Sequence, residues 1–294
     1  MSKYYYLIAG LPNIAFEDSK LPYTVSGFKE ELGNYLSRAD RQWLNVFTLK
    51  FDNENLLEQM QHPGYEPDAR GRFTYEELKL LLTGIRNGKE EETPFKNRNK
   101  HFPPYFETFA HSFLAEEEKT DSPVFPWEDR LSALYYAHAM KSKNDFVAGW
   151  FELNLNIKNI LIALTCRKYK LDKSACIVGE NETARKIRTS NARDFDLGDS
   201  LEYLPAVLRI AEENDLLQRE RKIDLLKWEW LEETTLWKTF DIENVLVYLL
   251  KLEILERWTT LDKETGEQSF RQLVGAMKKS SGSALEEFKR NNKK

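Results

Sequence analysis

Apolar positions recur along this chain with a helical period, most plainly in two stretches. Over Asp145 to Tyr169, Leu153, Ile157, Ile160, Leu161 and Leu164 share one face of a helix, while Glu152, Asn156, Asn159 and Arg167 line a second stripe. Such a helix has two employed faces. Over Asp241 to Leu261 the run Val245 to Leu250 is apolar almost all round, the pattern of a helix enclosed by others, and Glu253, Glu256 and Arg257 follow within two turns. Charge removed from water is costly unless paired, so these groups either satisfy each other or face a partner. Glu253 and Arg257, four apart with the acid first, have the spacing of a helical ion pair, with internal neutralisation and a partner-facing role both open.

The same periodicity predicts helices elsewhere. Phe28, Leu32, Tyr35 and Leu36 form one amphipathic face, and Trp43, Leu44, Phe47, Leu56 and Leu57 continue it, with possible breaks, to Gln61. Residues 62–71, HPGYEPDARG, read as a loop, and Thr74 with Glu77 three residues later reads as a capping box opening the next helix. Arg86 to Pro104 is a second loop and a boundary between lobes. Helices are expected over Tyr105 to Glu118, Trp127 to Met140 and Asp145 to Tyr169, with DSPVFP as the hinge between the first two. Beyond Leu171, mixed polarity with Gly179 and Gly198 predicts short helical pieces, after which Leu216, Ile223, Leu226 and Trp230 are expected core positions. Thr265 and Gly266 break the pattern before a basic, polar tail. Only YYYLIA near the start reads as a short strand, so the fold class is all-α. The breaks divide the chain into an N-terminal helical segment over 1–104, a middle one over 105–200 and a C-terminal one with the tail over 201–294, as separate lobes or as one continuous domain.

Composition narrows the partners. The 294 residues carry a net charge of −5 with no long basic run, which argues against nucleic acid, whose binding rests on neutralising phosphates. The aromatic share of 13% favours packed surfaces over disorder. Cys166 and Cys176 lack the CxxC pairing of metal or redox sites and read as reduced structural thiols. The apolar patch at the start is too short for a signal peptide, and no 18-residue apolar run occurs, so a soluble cytoplasmic chain is expected, touching a membrane only through a partner.

Catalytic signatures are absent: there is no GxxxxGK[ST], HExxH, GxSxG or GxGxxG. The histidines, His62, His101, His111 and His138, lack metal-ligand spacing. Glu66, Asp68, Gly71 and Glu77 stand at positions 1, 3, 6 and 12 of a calcium-loop pattern, but Arg70 replaces an oxygen ligand and Pro67 stiffens the entry, so a polar loop entering a capped helix is the better reading. The runs Glu90 to Glu92 and Glu116 to Glu118 read as solvated faces, and PFKNRNKHFPPYF as a surface loop anchored by aromatics. No cofactor and no metal is expected.

The two apolar helices and the segment between them resemble the C-type family of V/A-type rotary ATPase components, whose eukaryotic counterpart is the d-type. The resemblance rests on Phe146 to Tyr169, with Glu152, Asn156, Asn159 and Arg167; on the IVGE turn at Ile177 to Glu180; and on Phe240 to Trp258. It covers about half the chain. The first half departs: the chain opens with YYYLIAGLPNIAF and an extra helical stretch around Leu36 to Leu57, as in a divergent bacterial branch. The resemblance implies a funnel of three similar helical lobes and a non-catalytic role, seating the central stalk on the membrane proteolipid ring and passing torque during proton or sodium transport. Its implied partners are the central-stalk proteins and the ring, at the inner face of the cell membrane. Glu152, Asn156, Asn159, Glu253, Glu256 and Arg257 are the expected partner-facing residues. The alternatives are a helical metal-dependent enzyme using Glu66, Asp68 and Glu77, or Glu253, and an unrelated helical scaffold.

Overall fold

Several of the apolar stripes are opened by a residue whose side chain takes up a free N–H group of the first turn. Ser37, Asn144 and Asn181 accept from the backbone N–H of Asp40, Val147 and Ala184. Thr74 and Glu77 form the predicted capping box, the Glu77 carboxylate taking the Thr74 N–H at 3.0 Å. The computed structural model describes residues 4–62, 64–88, 102–117, 126–238 and 240–260. Its helices in chain order are α1 (Tyr5–Gly10), α2 (Val25–Tyr35), α3 (Arg38–Gln61), α4 (Tyr75–Arg86), α5 (Pro104–Glu117), α6 (Trp127–Ala139), α7 (Asp145–Tyr169), α8 (Glu182–Thr189), α9 (Leu204–Ala211), α10 (Leu216–Thr235) and α11 (Ile242–Thr260), with a 3-10 turn at Lys173–Ala175. The protein is all-α, and no strand occurs among the described residues.

The expected N-terminal strand is α1 instead. Tyr4 and Leu7 turn inward one helical step apart, the Tyr4 N–H reaches the Phe240 carbonyl at 3.3 Å, and the Tyr5 and Phe240 rings lie 4.6 Å apart. A lone strand would leave its backbone groups unpaired, whereas a helical turn satisfies them locally; this outweighs the β preference of three tyrosines. One of the possible breaks between Phe28 and Gln61 is real. α2 stops at Tyr35, Ser37 caps a new helix, and α3 then runs unbroken through Trp43 to Leu57.

The chain divides into two compact units, Leu36–Trp230 and a smaller one from both ends, Met1–Tyr35 with Leu231–Lys294. In the larger unit α3, α4, α5 and α6 each touch the next and α6 touches α3, closing a four-helix cycle; α6 also packs on α7, which carries α8, α9 and the 3-10 turn. Aromatic rings fill this unit: Phe47 stacks on Phe151 at 5.3 Å, Phe109 meets Trp127 edge-on at 5.9 Å, and Phe73 lies 5.9 Å from Phe106. In the smaller unit α11 packs on α2, burying Val245, Leu246, Leu249 and Leu252, each contributing about 1.5–3 kcal/mol of apolar transfer. Of the expected core positions on α10, Ile223 is buried, Leu226 and Trp230 are half-buried, and Leu216 is exposed in the first turn; Trp228 and Asp224 are buried in its place. No helix among the described residues is long and apolar enough to cross a membrane. The readings of Glu90 to Glu92, His101, Glu118, most of PFKNRNKHFPPYF, all of DSPVFP but Pro126, Thr265, Gly266 and the tail fall outside the described residues.

Candidate functional site

α7 carries the polar stripe singled out in the sequence, and its members part company. Asn156 and Asn159 are wholly buried. Asn159 holds Val178 from both sides, its amide donating to the Val178 carbonyl at 2.7 Å and its oxygen accepting from the Val178 N–H at 3.0 Å. Asn156 donates to the Tyr203 hydroxyl at 3.0 Å and accepts from the Asn181 amide at 2.8 Å, while Asn181 also caps α8. These amides are spent on joining helices and offer no surface to a partner. Burial pushes the Tyr203 hydroxyl up to about 12, the Asn156 bond opposing it, so the group stays a neutral member of the network.

The other side of the IVGE turn is held by Arg188 of α8. Its guanidinium donates to the carbonyls of Ile177 at 2.9 Å and Gly179 at 2.7 Å, and lies 3.1 Å from the Glu180 carboxylate. Gly179 adopts a φ of +80°, where an L side chain is strained, and a Cβ there would come 3.1 Å from Leu155. Every segment of the turn is thus pinned, by α7 below and α8 beyond. Arg167, near the end of α7, donates to the carbonyls of Ala192 and Arg193 and stacks 4.3 Å from the Phe195 ring. Glu152 and Arg167 are the members of the stripe left exposed, and Arg167 is the one committed to the carbonyls of Ala192 and Arg193.

The second set lies in the smaller unit. Glu253 pairs with Lys29 of α2 at 2.8 Å, and Glu256 accepts the Val25 N–H at 2.9 Å, placing a carboxylate on the N-terminus of α2 where the helix dipole favours it. Arg257 is exposed and lies 5.5 Å from the Trp258 ring. On the same helix Asn244 Oδ1 and Tyr248 Oη are buried without a hydrogen-bond partner among the described residues.

The calcium-like loop has another use. Both Asp68 oxygens are gripped by the Arg70 guanidinium, which holds that carboxyl below the ordinary range, and Glu77 is committed to the capping box. Asn55 of α3 clamps Asp68 through its backbone N–H and carbonyl, at 2.8 and 3.0 Å, and Asp52 Oδ1 accepts from Arg72 and Phe73. Among the described residues no group of three or more His, Cys, Asp or Glu is placed to hold a metal.

Sequence reasoning missed Asn181, Arg188 and Tyr203, because single polar residues in short helices leave no periodic trace. It also missed a groove of about 710 Å³ at the C-terminal end of α7, lined by Lys158, Leu164, Tyr169, Cys176 and Arg219 among others. Exposed Tyr169 and Leu171 at the end of that helix were its one signal in the sequence. A family model for proteins of unknown function, DUF2764, matches residues 1–281. The chain belongs to that family. No curated protein and no solved structure matches it.

Proposed function

We propose that this chain is a non-catalytic coupling component of a V/A-type rotary ATPase, seating the central stalk on the proteolipid ring at the inner face of the membrane. The observation that carries this reading is the joint between α7 and the IVGE turn. Those two stretches carry part of the likeness to the C-type family, and they are built as one clamp in which Asn159 and Arg188 hold the backbone of the turn while Asn156 ties α7 to Asn181 and Tyr203. A part that passes torque has to be stiff, and a hydrogen-bonded turn locked between close-packed helices transmits strain instead of absorbing it. The partner-facing role passes from the buried amides to Glu152 on α7 and Arg257 on α11, which are exposed. The three-lobed funnel with a central opening is part of the same proposal.

The test is coupling. In cells lacking the chain, the rotary complex hydrolyses ATP without moving ions, and restoring the chain restores ion movement; Glu152→Lys restores it less well while leaving the fold intact by circular dichroism. Fully coupled ion transport without the chain would reject the proposal.

A further inference from the structure

The groove at the end of α7 is a surface of two chemistries. Leu161, Leu164, Leu171 and Tyr169 contribute apolar area, with Tyr169 63% and Leu171 58% exposed. The apolar side chains gathered along the groove are open to a partner's apolar face, and the charge of the lining supplies the second, independent feature. The charged residues of the lining are Lys158, Lys168 and Arg219 against the single carboxylate of Glu220. Lys158 is paired with Asp129 at 3.3 Å, whereas Lys168 and Arg219 make no ion pair among the described residues. The lining follows α7 from Lys158 to Tyr169, which at a helical rise spans about 17 Å, or about three turns of a helix laid alongside.

We infer that this groove binds an acidic amphipathic helix of a protein partner, with apolar anchors at i, i+3, i+4 and i+7 seated among the leucines and flanking carboxylates meeting Lys168 and Arg219. In a helix-in-groove contact the half-buried Leu161 and Leu164 and the exposed Leu171 receive the partner's anchors, and Lys168 and Arg219, which make no ion pair among the described residues, select the sign of its flanks. The occupant is independent of the complex in which the chain works, so the groove and the rotary-ATPase reading stand or fall separately.

Cys176 lines the groove and is half-buried, and the chain's other thiol, Cys166, is buried, so alkylation resolved by mass spectrometry reports on occupancy. The probe is a synthetic amphipathic helical peptide with leucine anchors and glutamate flanks, compared with the same peptide carrying lysine for glutamate, each added to the full chain. The glutamate peptide is expected to slow alkylation of Cys176 in a saturable way, and to bind about tenfold more tightly than the lysine peptide. In the double variant Lys168→Glu, Arg219→Glu the preference inverts. Equal binding of the two peptides, an unchanged alkylation rate at saturating glutamate peptide, or an unaltered preference in a folded double variant would each overturn the inference.

Discussion

At the scale of single residues, the buried amides carry more than their share. Asn159→Ala strips both backbone groups of Val178 of their partners inside the core, and is expected to cost about 2–4 kcal/mol in urea unfolding. Asn156→Ala is expected to cost less, since it frees side-chain groups of Tyr203 and Asn181 that can turn toward water. Asp52 gives a pH signature. One of its oxygens is buried without a hydrogen-bond partner among the described residues and burial raises its pKa, with the backbone bonds of Phe73 and Arg72 opposing. Below the ordinary value of 3.8 the carboxyl is protonated folded and unfolded, and it contributes no pH dependence. As pH rises through that value toward the folded-state pKa, the unfolded chain ionises first, the folded state binds more protons, and stability falls. Asp52→Asn keeps an acceptor for the two N–H groups and cannot ionise, so it should gain stability over the parent as pH rises through this window. A stability difference that stays flat across a pH series of urea melts would contradict the assignment. The amide stripe itself was legible in the sequence, but its use was not: periodicity shows that polar atoms lie on an apolar helix, and only the path of the turn at Ile177 to Glu180 shows what they bind.

At the scale of elements, the long helices were legible because their apolar period and their caps agree. α7 spans the residues predicted for it, and Thr74 and Glu77 open α4 as the spacing required. Thr74→Ala should cost about 1 kcal/mol by chemical denaturation, the usual worth of such a cap. The strand at YYYLIA failed for a physical reason: local preference is a fraction of what Phe240 supplies through its ring and carbonyl from more than two hundred positions away. Leu216 failed for another, as a first-turn residue in register with a core face it does not reach. The turn between α7 and α8 depends on Gly179. Gly179→Ala adds about 1–2 kcal/mol of left-handed backbone strain and a close contact with Leu155, and should lower the urea midpoint while leaving the slope unchanged.

At the scale of the molecule, the ends of the chain build one unit and the middle builds another. Apolar periodicity locates helices but not which of them pair across the sequence, so the partnership of α2 with α11 was invisible beforehand. The Lys29 to Glu253 pair and the Glu256 carboxylate on the α2 N-terminus are its polar fasteners. Removing residues 1–35 should therefore expose the apolar face of α11 and speed amide exchange across Ile242–Thr260, while α7 keeps its protection. The proposed coupling role is tested most directly by isolating the rotary ATPase from native membranes under mild detergent and counting its components by quantitative mass spectrometry. This chain is expected in fixed stoichiometry with the central stalk and lost together with it when the stalk is stripped from the ring. An intact, coupled complex that contains none of this chain would contradict it.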